Sequence, residues 1–254
     1  MRPKIGLIQS RGIGDIIIAL PIAKYYSDRG YDVHWPIDQR FAPSFSQSVD
    51  YVNLIPFKFE ANAQGFLHVP IDLLRKAGCE KLVPLYSYLS GDNSSNKAYF
   101  NSLKFDEYKY AVAGVPFREK WNLSVRRDAE REERLYRQLV TQDDYVVVHQ
   151  QGSNFKAKFA VPSPFRKCQV IEIAERTENI FDWLGILEKA RLLIMIDSCF
   201  SNLVEQLGFQ NEKVYALRSD VRFTPVLRGN WQYYGQSSPR PVEQVRHHYE
   251  TIGT

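Results

Sequence analysis

Three short segments of this chain carry residue types that could do chemistry. The first is Ser10-Arg11-Gly12-Ile13-Gly14-Asp15. Glycines let backbone approach a ligand, and a helix start beyond them favours an anion or a polar acceptor. An aspartate in a first helical turn is also simply stabilising there. Beside a glycine turn at the carboxyl edge of a parallel sheet, it is equally well placed as a general base. Two phosphate-binding patterns are absent. The dinucleotide fingerprint needs a glycine where Ile17 stands, and the phosphate loop needs Gly-Lys-Ser/Thr.

The second segment is Asp197-Ser198-Cys199-Phe200-Ser201-Asn202. Here Ser198 can cap a helix, and the free N–H groups after it can hold a phosphate. An ordinary strand-to-helix turn would look the same. Cys199 is a poor nucleophile candidate, since no histidine lies near it in sequence. The third is the loop Gln150 to Lys158, with Gln151, Gly152, Lys156 and Lys158. Its lysines suit a phosphate or plain solubility.

The elements that position these segments can be read from periodicity. Lys4 to Gln9 reads as a strand, and Ile16, Leu20, Ala23 and Tyr26 recur at helical spacing up to Arg29-Gly30, with a kink expected at Pro21. Tyr31 to Trp35 then completes a βαβ unit, and Tyr51 to Ile55 suggests a third strand. From Pro56 to Pro116 only a helix over Ile71–Ala77 and a loop over Ser90–Asn96 can be assigned. Arg118 to Val140 reads as a solvated helix with Glu130/Arg134 and Glu133/Arg137 at i, i+4. Strands follow at Tyr145–His149, Gln169–Ile173, Leu192–Ile196 and Lys213–Leu217. Helices are expected at Glu178–Ala190, Phe200–Leu207 and Pro241–Tyr249. The alternation gives an α/β fold in two halves, residues 1–140 and 141–254.

Composition bounds the rest. With 254 residues, 15 Phe and 15 Tyr, the chain can bury a core without disulfide or metal staples. No apolar run approaches the ~20 residues of a membrane span. The apolar start is interrupted by Gly12, Gly14 and Asp15, so it reads as folded protein rather than a targeting segment. Three widely spaced cysteines suggest a reducing, cytoplasmic setting and no zinc framework. A net charge of +4 permits an anionic ligand without demanding nucleic acid. The adjacent pair His247-His248 does not make a metal site.

Taken in order, these segments resemble the heptosyltransferase-type glycosyltransferases, glycosyltransferase family nine. The resemblance lies in Lys4-Ile5-Gly6-Leu7-Ile8, Gly14-Asp15-Ile16, Leu20-Pro21 and Tyr31 to Trp35, then in Val147-Val148-His149 with Lys156 seven residues on, and in Ala190 to Ser198. It implies two Rossmann-like domains facing across a cleft (the GT-B architecture, here in a compact version), with the last helix able to cross back to the first domain. It also implies inverting transfer from a nucleotide diphosphate sugar to an acceptor hydroxyl, with no metal and no cofactor. Asp15 would be the base, with Ser10, Arg11, Gly12 and Gly14 as the acceptor-side loop. Lys156, helped by Lys158, Gln151 and Gly152, would meet the donor diphosphate. Asp197, Ser198, Cys199, Phe200 and Asn202 would form the phosphate cradle, and Glu178 and Asn179 would sit at the nucleotide base.

The chain departs from the family pattern in three places. Cys199 stands for a glycine, Asn202 for a histidine, and Lys158 to Gln169 is too short for the strand and helix usual there. The acceptor is left open between a lipopolysaccharide-type saccharide and another hydroxyl, a modified DNA base included. Three other functions compete: a nucleotide-sugar-binding protein without transfer, a dinucleotide oxidoreductase, which the broken fingerprint disfavours, and a nucleic-acid-binding module.

Overall fold

The computed structural model describes residues 2–86, 102–152, 156–217 and 224–234. Two compact units divide the chain: Met1–Asp128 with Glu178–Phe181, and Ala129–Thr177 with Asp182–Thr254. The Ser90–Asn96 loop, the Pro241–Tyr249 helix and His247-His248 lie outside the described residues.

In the first unit, β1 (Lys4–Ile8), β2 (Asp32–Asp38), β3 (Asn53–Phe57) and β4 (Lys81–Pro84) form a parallel sheet in the order β3-β2-β1-β4. Between β1 and β2 runs α1 (Ile13–Asp28), whose residues from Ile16 to Ala23 are all buried. It is a core helix, apolar all round rather than striped. It is one element through Pro21 and ends at Arg29 and Gly30, the latter at φ 82, where the missing Cβ removes the left-handed penalty. After β2 comes α2 (Ala42–Ser48), and a π-helical turn over Gln64–His68 leads into α3 (Val69–Lys76). Packing against β1 depends on Gly6: a Cβ there would stand 2.5 Å from a Leu74 methyl. The last helix of this unit is α4 (Phe105–Ala113), closed by Gly114 at φ 65.

In the second unit, β5 (Tyr145–His149), β6 (Gln169–Glu172), β7 (Leu192–Ile196), β8 (Glu212–Ala216) and β9 (Trp231–Tyr233) are again all parallel, in the order β6-β5-β7-β8-β9. Every residue of β5 and β7 is buried, as continuous apolar runs in a parallel sheet require. Among the described residues its α-helices are α5 (Ala129–Leu139), α6 (Leu184–Lys189) and α7 (Cys199–Gln206). Among the described residues, the crossover from β5 to β6 has no α-helix, only a 3-10 turn at Ser163–Phe165. Phe165, with Phe159, Val161 and Cys168, covers Val146, Val148, Leu192 and Ile194 instead. At the edge of that face Val170 is left 52% exposed.

Two expected helices are shorter than read. Over Arg118–Val140 there is a 3-10 turn at Phe117–Trp121, irregular chain, and only then α5. The Glu133–Arg137 pair is present at 2.7 Å. Over Glu178–Ala190 a 3-10 turn at Ile180–Trp183 precedes α6, because the Asn179 side chain caps the Phe181 N–H at 3.0 Å and starts a tight turn. The elements α2, β4, α4 and β9 were not legible.

Candidate active site

Both sheets change direction of winding at one place. In the first, the chain leaves β1 toward β2 on one side and returns to β4 on the other. In the second, β5 has β6 on one side and β7 on the other. The crevices outside the carboxyl ends of such strand pairs are where open α/β sheets hold ligands. The segments singled out by chemistry follow β1, β5 and β7.

After β1, the loop Gln9 to Gly12 is pinned from several sides. The Tyr86 hydroxyl, just past β4, accepts from the N–H of Ser10 at 2.7 Å and of Arg11 at 3.2 Å. Gln9 Nε2 donates to the Arg11 carbonyl at 2.7 Å, and Trp35 Nε1 to the Gln9 carbonyl at 3.0 Å. Gly12 turns the chain at φ 84, and a Cβ there would lie 2.7 Å from Asp15 Oδ2. This position therefore needs glycine twice over, for its conformation and for the close carboxylate. Gly14 is in the first turn of α1 and is not left-handed. Asp15 stands in the same turn, its carboxylate 39% exposed.

Beside Asp15 is a residue the sequence did not point to. Lys109, on α4, is only 3% exposed, and its Nζ lies 3.0 Å from Asp15 Oδ1. It also donates to Gln9 Oε1 at 2.7 Å and to the Leu85 carbonyl at 3.1 Å. Two of its three donors are thus spent on hydrogen bonds, and its charge is paired with Asp15. Lys109 thus orients the Asp15 carboxylate and leaves its second oxygen toward the loop. The helix carrying Lys109 is itself anchored. Lys120 and Asp106 pair at 2.7 Å, both fully buried. Tyr110 donates to the Ile18 carbonyl at 2.8 Å, and Tyr26 to the Ala113 carbonyl. The one sequence clue was a lysine between two tyrosines, Tyr108-Lys109-Tyr110.

In the second unit, Asp197 follows β7, and Ser198 caps α7 in extended backbone, its Oγ accepting from the Ser201 N–H. The Ser201 hydroxyl faces the Ser198 N–H at 3.0 Å, closing the reciprocal cap. His149, at the end of β5, holds Ser198 Oγ with Nδ1 at 2.9 Å and meets the Phe200 ring edge-on at 5.0 Å. Burial drives the His149 pKa down to about 4, against a backbone bond at Gln151 and the charge of Glu172 that would raise it. The imidazole is therefore neutral near pH 7, and one nitrogen can accept the Ser198 hydroxyl proton. At this helix start the N–H groups of Cys199 and Phe200 face the Cys199 sulfur. Burial pushes the Cys199 thiol up to about 12, so it is no thiolate nucleophile. Asn202 is 3% exposed, and its Oδ1 has no hydrogen-bond partner among the described residues.

The lysine loop closes through a bridge between Gln151 and Lys156, with the Ala157 N–H on the Gln150 carbonyl at 2.8 Å. Lys156, Lys158 and Gln151 are exposed and Gly152 is half-buried. Glu178 and Asn179 group instead with the first unit. Ser44 donates to the Glu178 carbonyl at 2.7 Å, and Asn179 is buried beside Ser48. Among the described residues no three of His, Cys, Asp and Glu converge as metal ligands. No described helix is long and apolar enough to cross a membrane.

Two parallel sheets flanked by helices, each with a winding reversal, define an α/β fold of two Rossmann-type units. No protein-family model and no curated protein sequence matches the chain. Solved structures do share the fold. A glycosyl transferase of family 9 from Veillonella parvula matches with a TM-score of 0.59 at 12% identity, over 91% of this chain and 86% of that one. The ADP-heptose lps heptosyltransferase II of E. coli matches with 0.57 at 12% identity, over 99% and 100%. TibC, an iron-containing dodecameric glycosyltransferase of enterotoxigenic E. coli, matches with 0.53 at 14% identity, over 88% and 61%.

Proposed function

We propose that the chain is a glycosyltransferase that moves a sugar from a nucleotide diphosphate sugar to a saccharide hydroxyl, with inversion and without a required metal. The observation that carries this reading is the Asp15 carboxylate. It is held by Lys109 at the carboxyl edge of a Rossmann-type sheet, in a fold shared with solved glycosyltransferases. Asp15 takes the proton of the acceptor hydroxyl as that oxygen bonds to the anomeric carbon. The bond from that carbon to the diphosphate breaks, and the diphosphate leaves with the electron pair. Its charge is met by Lys156, with Lys158 beside it, and by the N–H groups at the start of α7. The missing Asp-x-Asp motif supports cationic side chains and helix dipole over a metal in that task. The donor class is suggested by the ADP-heptose in the name of the E. coli neighbour.

The test is a melting screen against ADP-, UDP-, GDP- and CDP-sugars, followed by turnover with the best of them. A ligand at 100 times its dissociation constant should stabilise by about 2.7 kcal/mol. Asp15→Asn should keep that shift and lose turnover, since removing a general base costs roughly 10²–10⁴-fold. Binding without turnover in the unmodified chain would make it a nucleotide-sugar-binding protein. No shift with any donor would end the reading.

A further inference from the structure

We infer that the short crossover between β5 and β6 is a docking face of the second unit, and that its occupant is an anionic lipid surface. The inference does not depend on the transfer reading.

From Tyr145 to Ile171 the sequence contains no Asp and no Glu, and it holds Lys156, Lys158, Arg166 and Lys167. These four cations in one acid-free stretch equal the whole net charge of the chain, +4. All four are exposed, and among the described residues no hydrogen bond or ion pair engages their side chains. Basic residues elsewhere are committed, as Lys24 is to Asp28, Arg137 to Glu133 and Arg191 to Asp144.

The fold turns this stretch outward. Between Lys156 and Val161 exposure alternates: Lys156, Lys158 and Ala160 are exposed, while Ala157, Phe159 and Val161 are half-buried. Phe159 and Val161, with Phe165 and Cys168, pack on Val146, Val148, Leu192 and Ile194. The inner side of the segment is thus spent on the sheet, and period-two alternation leaves the lysines on the outer side. Arg166 and Lys167 stand exposed between Phe165 and Cys168, which are two points of that packing.

Apolar side chains are exposed in the same layer. Two large hydrophobic residues are left exposed among the described residues, Val170 at 52% and Tyr234 at 41%, and both adjoin this segment. Val170 is in register with Val146. Partners in a parallel ladder point to one side, so Val170 lies on the sheet face that the segment covers. Tyr234 meets the Phe159 ring at 4.9 Å, and its hydroxyl accepts from the Ala160 N–H at 3.1 Å. Pro162 and Pro164 are exposed as well. Between Lys156 and Val170, Ser163 is the one exposed residue that is neither basic nor apolar.

That composition selects the occupant. Cations among aliphatic side chains and a tyrosine suit phosphate head groups above an acyl boundary. A nucleic acid is also met by amide and hydroxyl side chains, and Ser163 alone is of that kind. A second copy joined through the same face would set four cations against four.

The experiment is co-sedimentation of the full chain with vesicles of phosphatidylcholine alone and of equal parts phosphatidylcholine and phosphatidylglycerol. The chain should bind the anionic vesicles, leave the neutral ones unbound, and be released as salt is raised. Lys156 and Lys158 belong to the proposed donor loop and are left intact. Replacing the other pair, Arg166→Gln with Lys167→Gln, should weaken binding by about 25-fold, roughly fivefold for each basic residue. Val170→Ser should weaken it several-fold with the charge unchanged. The control removes the same charge from the exposed end of α3, Arg75→Gln with Lys76→Gln, and should bind like the unmodified chain. Absence of binding to anionic vesicles, or an equal loss in the control, would overturn the inference. So would tighter binding of a single-stranded oligonucleotide at the same salt, or a dimer that Val170→Ser dissociates. Melting shifts with nucleotide sugars should be the same in the Arg166 and Lys167 pair as in the unmodified chain. Their loss in that pair would assign these cations to the donor and overturn the inference while the transfer reading stands. Vesicle binding by a chain that no nucleotide sugar stabilises would leave the docking face standing and the transfer reading failed.

Discussion

At the scale of single residues, the site depends on one buried charge that orients another. Lys109 spends two hydrogen bonds on Gln9 and Leu85 and an ion pair on Asp15, so in the proposed reaction it positions the base rather than meeting substrate. Replacing it with methionine keeps most of the volume and removes the donors. Lys109→Met is expected to lower kcat by about tenfold or more, as a misplaced base does, with donor affinity unchanged. Steady-state kinetics alongside a donor titration separates the two, and a donor affinity falling in step with kcat would mean general disruption. His149 carries a different consequence. Its folded pKa of about 4 lies below the usual histidine value because burial penalises the charged ring. Between those two values the unfolded chain binds the proton and the folded one does not, so stability is complete above about pH 6.5 and declines as pH falls toward 4. The loss attributable to this ring between pH 6.5 and 5 is on the order of 2 kcal/mol. Urea melts at the two pH values should show that difference narrowing in His149→Asn, which can still accept from Ser198 but does not titrate.

At the scale of elements, the legible parts were those whose buried faces are apolar. Leu192–Ile196 and Tyr145–His149 match their expected limits, and α7 agrees to within a residue of the helix read over Phe200–Leu207. Continuous apolar strands and a serine cap leave little ambiguity. Between Pro56 and Pro116 the helix expected over Ile71–Ala77 is present as α3, and α4 was missed for a physical reason. Its buried side includes Asp106 and Lys109 together with Tyr108, Tyr110 and Ala113. Two buried charges break the helical period of apolar residues on which the reading relies. The residue that pairs with Asp15 was therefore hidden by its own charge. Asp15 itself was legible because a glycine turn between strand and helix is a local pattern. The crossover after β5 shows the opposite case, with no α-helix among its described residues. Phe165, 6% exposed, takes the place of a helix over Val146, Val148 and Ile194. Phe165→Ala should cost roughly 3–5 kcal/mol, the range for emptying an aromatic site in a core. Equilibrium urea unfolding measures it. A loss under about 1 kcal/mol, the size of a typical surface change, would mean that the crossover is held elsewhere.

At the scale of the whole molecule, the proposed transfer raises the question of what would offset the charge of a departing diphosphate. The chain carries 33 basic and 29 acidic residues, so its overall field is weak and local groups must supply the stabilisation. The candidates are two exposed lysines on a loop and the N-terminal end of an eight-residue helix. Each charge-assisted hydrogen bond contributes about 1.5–3 kcal/mol, so a few of them together match what one bound cation supplies. A cation would need converging ligands, and the chain has no Asp-x-Asp. One fold neighbour is described as iron-containing, which makes the point worth testing in this chain directly. Transfer is expected to survive excess EDTA without change in rate, measured with the donor that gives the largest melting shift. Activity abolished by the chelator and restored by Mg²⁺, Mn²⁺ or Fe²⁺ would transfer the leaving-group role from Lys156 and the α7 start to a metal.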